Sequence, residues 1–422
     1  MVQCTELLLG GFRVLDLTDE KGLLCGKMLG EMGADVIKIE RPGGDAARNI
    51  GPFYKDTPHH EKSLFWFFTN LYKRGITLNL ETSDGREIFK RMVKDADFVI
   101  ESFEPGYMES LGLGYTDLEK INPRVIMTSI TPFGQTGPYA HYKTTDIVGV
   151  SMGGWVRTSG EIGGPPNRLS YPQFYFLGGL HGAAGSMTAH YYRELTGEGQ
   201  YVDVSCQEAV VLSLMVVAEI YDMFKYSYRG MGGNYAGARP DGSILFSRIM
   251  FPCKDGHVFS FVTGASQAGM VVSSKILVEM ANKEGLALEL SDYPWQEIDA
   301  ATISQEELSR ITDCIAAFMK RKTKAELFDA AINRGVLLCP INTVQDVVES
   351  VQLESRGFWQ MVEHPELVEA IKYPGPPIRL SENVRPAPRR APLVGEHNDD
   401  IYVNELGFSR EQLASLKISG II

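Results

Sequence analysis

RVLDLTDEKGLLCGKMLGEMGADVIKI, residues 13–39, is the stretch of the chain that decides its fold. Residues 13–17 form a short apolar run that is typical of a buried strand. A helical pattern follows from Leu23 to Met32 and ends at Gly33, and residues 36–39 have the pattern of a second buried strand. A strand, a helix and a strand in direct succession indicate a βαβ unit, so this stretch predicts a parallel sheet.

The same alternation of strand and helix continues toward the middle of the chain. Further strands are predicted at residues 76–80, 98–101, 125–129 and 201–205, with helical segments between them. The predicted fold class is therefore α/β with a Rossmann-like parallel sheet. Residues 18–22 after the first strand read Thr-Asp-Glu-Lys-Gly, so the glycine-rich GxGxxG fingerprint of dinucleotide-binding proteins is absent.

The composition is that of an ordinary globular protein and argues against several functional classes. The 422 residues carry 41 Lys and Arg against 53 Asp and Glu, and the resulting charge of −12 has the wrong sign for a general nucleic-acid binder. No run approaches the roughly 20 apolar residues of a membrane span, and the N-terminus lacks the basic start of a signal peptide. Six cysteines without a CxxC pair argue against a zinc site or a disulfide framework. We therefore expect a cytoplasmic protein with no metal, membrane or nucleic-acid partner.

The second half of the chain is organised differently from the first. Residues 177–195 predict a small-residue helix built for close packing, and residues 206–226 predict one long apolar helix. The glycine-rich residues 229–242 predict a linker, and the turn at residues 254–256 predicts a hairpin. Residues 373–390 are rich in proline and basic side chains, so they predict an extended strap that wraps another part of the molecule.

Several blocks of sequence, in this order, resemble the class III CoA-transferases. That family includes formyl-CoA and carnitine CoA-transferases and the 2-methylacyl-CoA racemases. The resemblance runs from about residue 10 to residue 422. It is carried by GADVIKIERP at 33–42, YKRGITL at 72–78, NPRVI at 122–126, FGQTGPY at 133–139, ELTGEGQYVDVS at 194–205 and APLVGEH at 391–397.

This resemblance implies a domain organisation and a substrate. The family has a large Rossmann-like domain built from both ends of the chain and a smaller α+β middle domain, and two chains interlock like linked rings. Residues 1–225 are then expected to begin the large domain, residues 226–330 to form the linker and the small domain, and residues 331–422 to return to the large domain. Coenzyme A or an acyl-CoA is the implied substrate, without a metal.

The resemblance also locates the residue that performs the chemistry. In the family, an aspartate attacks the acyl-CoA thioester and then carries CoA as a thioester, which requires a carboxylate. This aspartate follows a Pro-Pro turn and lies four residues ahead of a glycine. Pro165-Pro166 and Gly179 align without a gap, and the aspartate position then holds Tyr175. A phenol, with an ordinary pKa of about 10, cannot form an acyl anhydride, so we expect no catalytic nucleophile there.

The implied CoA site is partly retained and partly altered. Arg41, Arg74 and Lys143 match family positions where cations meet the nucleotide, so they are expected to bind the phosphates of CoA. Other positions around this site depart from the family's pattern: Ser102, Glu104, Ser110 and Thr145. Because they have changed together with the nucleophile, we expect a pocket that no longer supports the reaction.

Two other carboxylates are candidates for the missing nucleophile. Asp146 lies close to the site blocks, although an aspartate there is common in the family with a structural role, and Glu161 precedes the Pro-Pro turn. The racemases need the nucleophilic aspartate and a histidine directly before the position of Asp146, where this chain has Thr145. Racemase activity is therefore disfavoured.

Some class III enzymes pair a chain that carries the aspartate with a related chain that lacks it. The resemblance implies that this chain is the non-catalytic subunit of such a heterodimer or heterotetramer. The complex would move CoA from succinyl-CoA to an aromatic dicarboxylic acid such as benzylsuccinate, in anaerobic toluene-type degradation. Two alternatives stay open: a self-sufficient homodimeric transferase that uses Asp146, Glu161 or a water, and a CoA-binding protein without turnover.

Overall fold

The computed structural model of the chain describes residues 7–239, 242–262, 268–382 and 385–422. Cys4, residues 240–241 of the predicted linker and residues 383–384 of the predicted strap lie outside the described residues. The chain divides into two compact units. The first comprises residues up to 155, 168–226 and 354–422, and the second comprises residues 156–167 and 227–353.

Six strands form the central sheet of the first unit. They are β1 (Arg13–Asp16), β2 (Asp35–Glu40), β3 (Lys73–Thr77), β4 (Phe98–Glu101), β5 (Ile126–Thr131) and β6 (Tyr201–Ser205). All pairings are parallel, and the order is β3-β2-β1-β4-β5-β6. Every residue of β4 and β5 is buried, as expected for parallel strands covered on both faces. The predicted α/β fold class with a Rossmann-like sheet is confirmed.

Helices separate these strands along the chain. They are α1 (Leu23–Glu31), α2 (Leu64–Thr69), α3 (Ser83–Val93), α4 (Tyr107–Ser110), α5 (Tyr115–Ile121), α6 (Asp146–Met152), α7 (Phe174–Thr196), α8 (Cys206–Ser213) and α9 (Val217–Phe224). Thr82 caps α3 by accepting a hydrogen bond from the Gly85 backbone N–H. Apolar residues of α3 and α5 share one core with the sheet. This shared core holds both helices against the sheet.

The small-residue helix is α7, and its glycines serve internal packing. A Cβ atom on Gly179 would lie 2.8 Å from Leu24 Cβ, and one on Gly182 would lie 2.6 Å from Ile130 Cδ1. Only glycine therefore allows α7 to approach α1 and β5 this closely. The same packing fixes the first turn of α7, which carries Tyr175.

Two elements differ from the predicted pattern. The long helix predicted at residues 206–226 is two helices, α8 and α9, because Met215 between them has a φ of 55° and interrupts the helical path. The strand predicted at residues 76–80 begins earlier, at Lys73. The Lys73 ammonium is fully buried and lies 2.7 Å from the Asp16 carboxylate, so a charged residue occupies a core strand position.

The second unit contains two small antiparallel sheets. In one sheet, β7 (Asn234–Ala238) pairs with β8 (Ile244–Arg248). The other sheet contains β9 (Met250–Cys253), β10 (Gly256–Ser260) and β11 (Leu338–Ile341), in the order β11-β10-β9. β9 and β10 form the hairpin predicted around residues 254–256. The helices are α10 (Ala268–Asn282), α11 (Gln305–Met319), α12 (Lys324–Arg334) and α13 (Val344–Val348), and α14 (Val351–Ser355) begins in this unit and ends in the first. This unit has its own apolar core.

The C-terminal residues return to the first unit and cover the open edge of its sheet. A hairpin, β12 (Trp359–His364) and β13 (Glu369–Pro374), precedes the strap, and α15 (Arg410–Ile418) follows it. The His397 backbone N–H donates to the Gly75 carbonyl, and the Tyr402 hydroxyl donates to the Thr77 carbonyl. These bonds satisfy the edge strand β3, which would otherwise expose unpaired backbone groups.

The strand order reverses between β1 and β4, which opens a crevice at the carboxyl ends of the strands. Such a crevice is where open α/β sheets bind their ligands. The two loops that border it are joined through Ser102, whose hydroxyl accepts a hydrogen bond from the Asp19 N–H at 2.9 Å and donates to Asp19 Oδ1 at 2.7 Å. The topology therefore places a candidate site at the loops after β1 and β4.

Candidate functional site

The first cavity at this edge, the Arg41 cavity, has a volume of about 420 Å³. Its walls come from the loops that follow four neighbouring strands, with Leu17 after β1, Arg41 after β2, Leu78 after β3 and Phe103 after β4. Glu40 lies in the same wall. Its two carboxylate oxygens accept hydrogen bonds from Nε and Nη2 of the buried Arg48 guanidinium, at 2.7 Å each. The wall is therefore rigid where Arg41 projects from it.

Arg41 is exposed, and no carboxylate within the described residues pairs with it. Tyr107 lines the same cavity, and burial and the neighbouring Glu81 carboxylate raise the pKa of its phenol while nearby Arg41 lowers it. Four carboxylates also line the cavity: Asp19, Glu40, Asp45 and Glu81. Arg41 is therefore the cationic side chain in this lining that can donate to a phosphate, and the aromatic rings can pack against a flat heterocycle.

The second cavity, the Tyr175 cavity, has a volume of about 260 Å³. It adjoins the first, because Phe103 lines both. Two carboxylates and two ammonium groups line it: those of Glu20, Glu104, Lys21 and Lys143. Lys143 is exposed and makes no ion pair with any described carboxylate, whereas the Lys21 ammonium is bonded to Asp19.

Tyr175 lies in the first turn of α7 and lines the Tyr175 cavity. The side chain is half-buried, and its Oη donates to the Thr144 carbonyl at 3.2 Å. Burial raises the pKa of this phenol far above its ordinary value, and the carboxylates of Glu20 and Asp19 raise it further. Tyr175 is therefore a neutral hydrogen-bond donor at neutral pH.

Asp146 is occupied by a structural bond. One of its carboxylate oxygens, Oδ1, accepts hydrogen bonds from the Gln173 N–H at 2.7 Å and the Phe174 N–H at 2.8 Å. These are the free donors at the start of α7, where a negative charge is favourable. Asp146 thus caps the helix that presents Tyr175. Glu161, the other carboxylate weighed from the sequence, lies in the second unit.

Arg74 lies away from both cavities. Its Nε and Nη2 donate to the two carboxylate oxygens of Asp35 at 2.9 and 2.6 Å, and its Nη1 donates to Glu405 Oε1 at 2.5 Å. These residues line a third cavity of about 790 Å³ at the amino end of β2, together with Arg13. The structure therefore brings Arg41 and Lys143 to adjoining cavities and does not bring Arg74 to them.

Glu101 is a titratable group at the crevice that sequence reasoning did not single out. It ends β4, is 3% exposed, and its Oε2 accepts the Phe103 N–H at 2.7 Å. Burial raises the pKa of Glu101 to about 7. Its position as the last residue of a buried strand next to the crevice is the signal that could have identified it.

The described residues hold no group of three or more His, Cys, Asp or Glu side chains arranged as metal ligands. Within the same ranges, no helix is both long enough and apolar enough to span a membrane.

Comparison with known proteins gives a consistent family. The model of CoA-transferase family III matches residues 9–398. The BbsE subunit of succinyl-CoA:(R)-benzylsuccinate CoA-transferase from Thauera aromatica is 33% identical over 411 residues, which covers 97% of each chain. Formyl-CoA:oxalate CoA-transferase from Streptomyces avermitilis is 32% identical over 428 residues, which covers 98% of this chain and 99% of that protein.

Solved structures agree with this family. A CAIB/BAIF family protein from Brucella suis superposes with a TM-score of 0.79 at 27% identity, covering 93% of this chain and 98% of that one. A hypothetical protein (Rv3272) from Mycobacterium tuberculosis superposes with a TM-score of 0.73 at 25% identity, with the same two coverages. The chain belongs to CoA-transferase family III.

Proposed function

We propose that this chain is the non-catalytic subunit of a heteromeric class III CoA-transferase. It retains a CoA-binding crevice, and a related partner chain supplies the nucleophilic aspartate. The complex moves CoA from succinyl-CoA to an aromatic dicarboxylic acid such as benzylsuccinate.

The observation that carries this proposal is the phenol of Tyr175 at the position expected for the nucleophile. CoA transfer requires a side chain that forms an acyl anhydride and then a thioester with CoA, and only a carboxylate can do both. Tyr175 has a raised pKa and donates its proton to the Thr144 carbonyl, so it is neither an acyl carrier nor a phenolate nucleophile. Asp146 does not replace it, because its Oδ1 caps α7.

CoA binding is supported by the two unpaired cations. Arg41 and Lys143 lie in adjoining cavities that share Phe103, so one extended ligand can meet both. Phosphate groups on such a ligand would make charge-assisted hydrogen bonds with both side chains. Arg74 is left out of this proposal, because Asp35 and Glu405 already satisfy its donors.

A partner chain is supported by apolar surface on the first unit. α9 has no buried residue, and the side chains around it are strongly exposed: Leu212 at 67%, Met215 at 79%, Met223 at 74% and Phe224 at 69%. Apolar patches of this kind mark protein contacts. The similar chain from Thauera aromatica is named as a subunit of its enzyme, which supports a partner of the same family here.

One observation favours a second candidate, a self-sufficient transferase. Glu20 is a half-buried carboxylate that lines the Tyr175 cavity and forms no ion pair within the described ranges. Burial raises the pKa of Glu20, and the neighbouring Asp19 carboxylate raises it further. In this candidate, Glu20 takes the place of the missing aspartate.

A transfer assay separates the two candidates. The purified chain is mixed with succinyl-CoA and benzylsuccinate, alone and after co-expression with a related chain that carries aspartate at the position of Tyr175. Products are separated and weighed by mass spectrometry. The proposal predicts benzylsuccinyl-CoA only when the partner is present. Turnover by the chain alone, abolished by Glu20→Gln, would establish the second candidate instead.

A further inference from the structure

We infer that Glu20 is a specificity determinant that keeps acyl groups bearing a negative charge out of the Tyr175 cavity. The crevice of this chain then holds free CoA or a thioester with an uncharged acyl group, and it rejects succinyl-CoA. This inference rests on the CoA binding proposed above and adds which ligands the crevice accepts.

The backbone holds Glu20 at the mouth of the crevice. The preceding residue, Asp19, is bonded to the Ser102 hydroxyl through both its backbone N–H and its carboxylate. One residue earlier, the Thr18 carbonyl accepts a hydrogen bond from the buried Lys38 ammonium at 2.5 Å. These bonds fix the loop on either side of the crevice, and Glu20 follows directly in the lining of the Tyr175 cavity.

The positive charges in the cavity offset this carboxylate only in part, although the nearby Lys21 ammonium attracts it. Lys21 is bonded to Asp19, and Lys143 is the cation assigned to the phosphates of CoA. Glu104, on the loop after β4, adds a second carboxylate that has no ion pair among the described residues. His141 also lines the cavity and contributes positive charge only when it is protonated. Once Lys143 binds phosphate, an acyl group that reaches Tyr175 therefore meets more negative than positive charge.

The physical consequence is repulsion between like charges at a half-buried site. Carboxylates that share a site within a few ångströms repel far more strongly than they do in bulk water, since protein replaces much of the solvent between them. A terminal carboxylate on the acyl group would feel this repulsion, whereas a methyl group in its place would not. Rejection by an unfavourable charge is a recognised source of specificity.

Two thioesters of equal length test the inference. Succinyl-CoA and butanoyl-CoA both have four-carbon acyl groups, which end in a carboxylate and a methyl group respectively. Their dissociation constants are measured by calorimetry with the full chain, with Glu20→Gln and with Glu87→Gln. Glu87 is an exposed residue of α3, so its variant removes the same charge away from the cavity.

The wild-type chain should bind butanoyl-CoA about tenfold more tightly than succinyl-CoA, in line with one repulsive charge pair. Glu20→Gln should reduce this preference to about twofold by tightening succinyl-CoA alone, and Glu87→Gln should leave it unchanged. The wild-type preference should also shrink as salt is raised, because screening weakens the repulsion. That salt series tests the inference even if Glu20→Gln does not fold.

Contrary outcomes have different meanings. Equal affinity for both thioesters in the wild-type chain, or a preference that neither salt nor Glu20→Gln reduces, would overturn the inference and leave the proposed CoA binding intact. Absence of binding by both thioesters and by free CoA would overturn the proposed CoA binding and this inference together.

Discussion

The two ends of the central sheet differ in how the cations at their cavities are paired. At the amino end, Asp35 accepts hydrogen bonds from Arg13 and Arg74, and Glu405 pairs with the same two arginines. At the carboxyl end, Arg41 and Lys143 face cavities without a carboxylate partner in the part of the chain that the structure describes. Paired charges hold a fold together, whereas unpaired charges at a crevice are available to a ligand.

Carboxylates show the same contrast as cations. Asp35 at the amino end has two guanidinium partners, while Glu101 at the carboxyl end is buried with a backbone N–H and no ion pair in the described ranges. A buried acid without a cation costs stability when it is ionised. Glu101 therefore lowers stability at the carboxyl end of the sheet when it is ionised.

The largest predicted effect concerns Glu101 and pH. Its pKa is about 7 in the folded chain against an ordinary 4.5, so the folded state keeps a proton that the unfolded state has lost. The free energy of unfolding should fall as pH rises from about 5 to about 8, by up to about 3 kcal/mol more than in Glu101→Gln. Urea unfolding across this pH range measures it, with Glu87→Gln as the control. Parallel pH profiles for wild type and Glu101→Gln would contradict the raised pKa.

The next largest effect is a loss of stability at the amino end of the central sheet. Arg74→Met removes hydrogen bonds to Asp35 and Glu405, so we expect a loss of about 2 kcal/mol in the free energy of unfolding. Affinity for CoA should stay unchanged, because Arg74 lines neither the Arg41 cavity nor the Tyr175 cavity. Chemical unfolding measures the loss of stability, and calorimetry measures the affinity for CoA. A loss of CoA affinity without a loss of stability would restore Arg74 to the nucleotide site.

Arg41→Met should behave in the reverse way. The side chain is exposed and unpaired among the described residues, so stability should change by no more than about 0.5 kcal/mol. Affinity for CoA should fall about tenfold, since a charge-assisted hydrogen bond to phosphate is lost. Chemical unfolding and calorimetry measure these two quantities. Unaltered CoA affinity would remove Arg41 from the proposed site.

The smallest effect is expected for Lys143→Met. Lys143 is exposed and binds as a point charge, so its removal should weaken CoA binding about threefold with unchanged stability. The weakening should disappear at high salt, because exposed charges are screened. Calorimetry at low and high ionic strength provides the comparison, and an effect independent of salt would mean that Lys143 acts through packing.

The sequence predicted the sheet well because buried parallel strands leave a continuous apolar signature. Residues 98–101 and 201–205 were predicted at the bounds that the structure has. The predicted start of β3 lies three residues too far along the chain, because its first residues, Lys73 and Arg74, are charged. Only their ion-pair partners in the folded chain explain their place in a strand. Such ion pairs join residues far apart in the chain, so no local pattern reveals them.

The candidate site was less accessible to sequence reasoning. Its position at the carboxyl end of the sheet follows from the predicted topology, and Arg41, Lys143 and Tyr175 were identified by resemblance. The cap that Asp146 places on α7 joins residues 27 positions apart, so it required the structure. The sequence marks Glu101 only by its position at the end of a predicted strand, and it does not mark Glu20, which lies in the loop after β1. The burial and neighbours of both side chains required the structure.

The central claim is that this chain keeps a CoA crevice and has no acyl-accepting side chain. Intact-mass spectrometry of the purified chain after incubation with succinyl-CoA, with and without hydroxylamine, tests that claim most directly. The account predicts an unmodified mass under both conditions, together with measurable binding of free CoA. A succinyl or CoA adduct removed by hydroxylamine, mapped by peptide digestion to Glu20 or any other carboxylate of the chain, would contradict it.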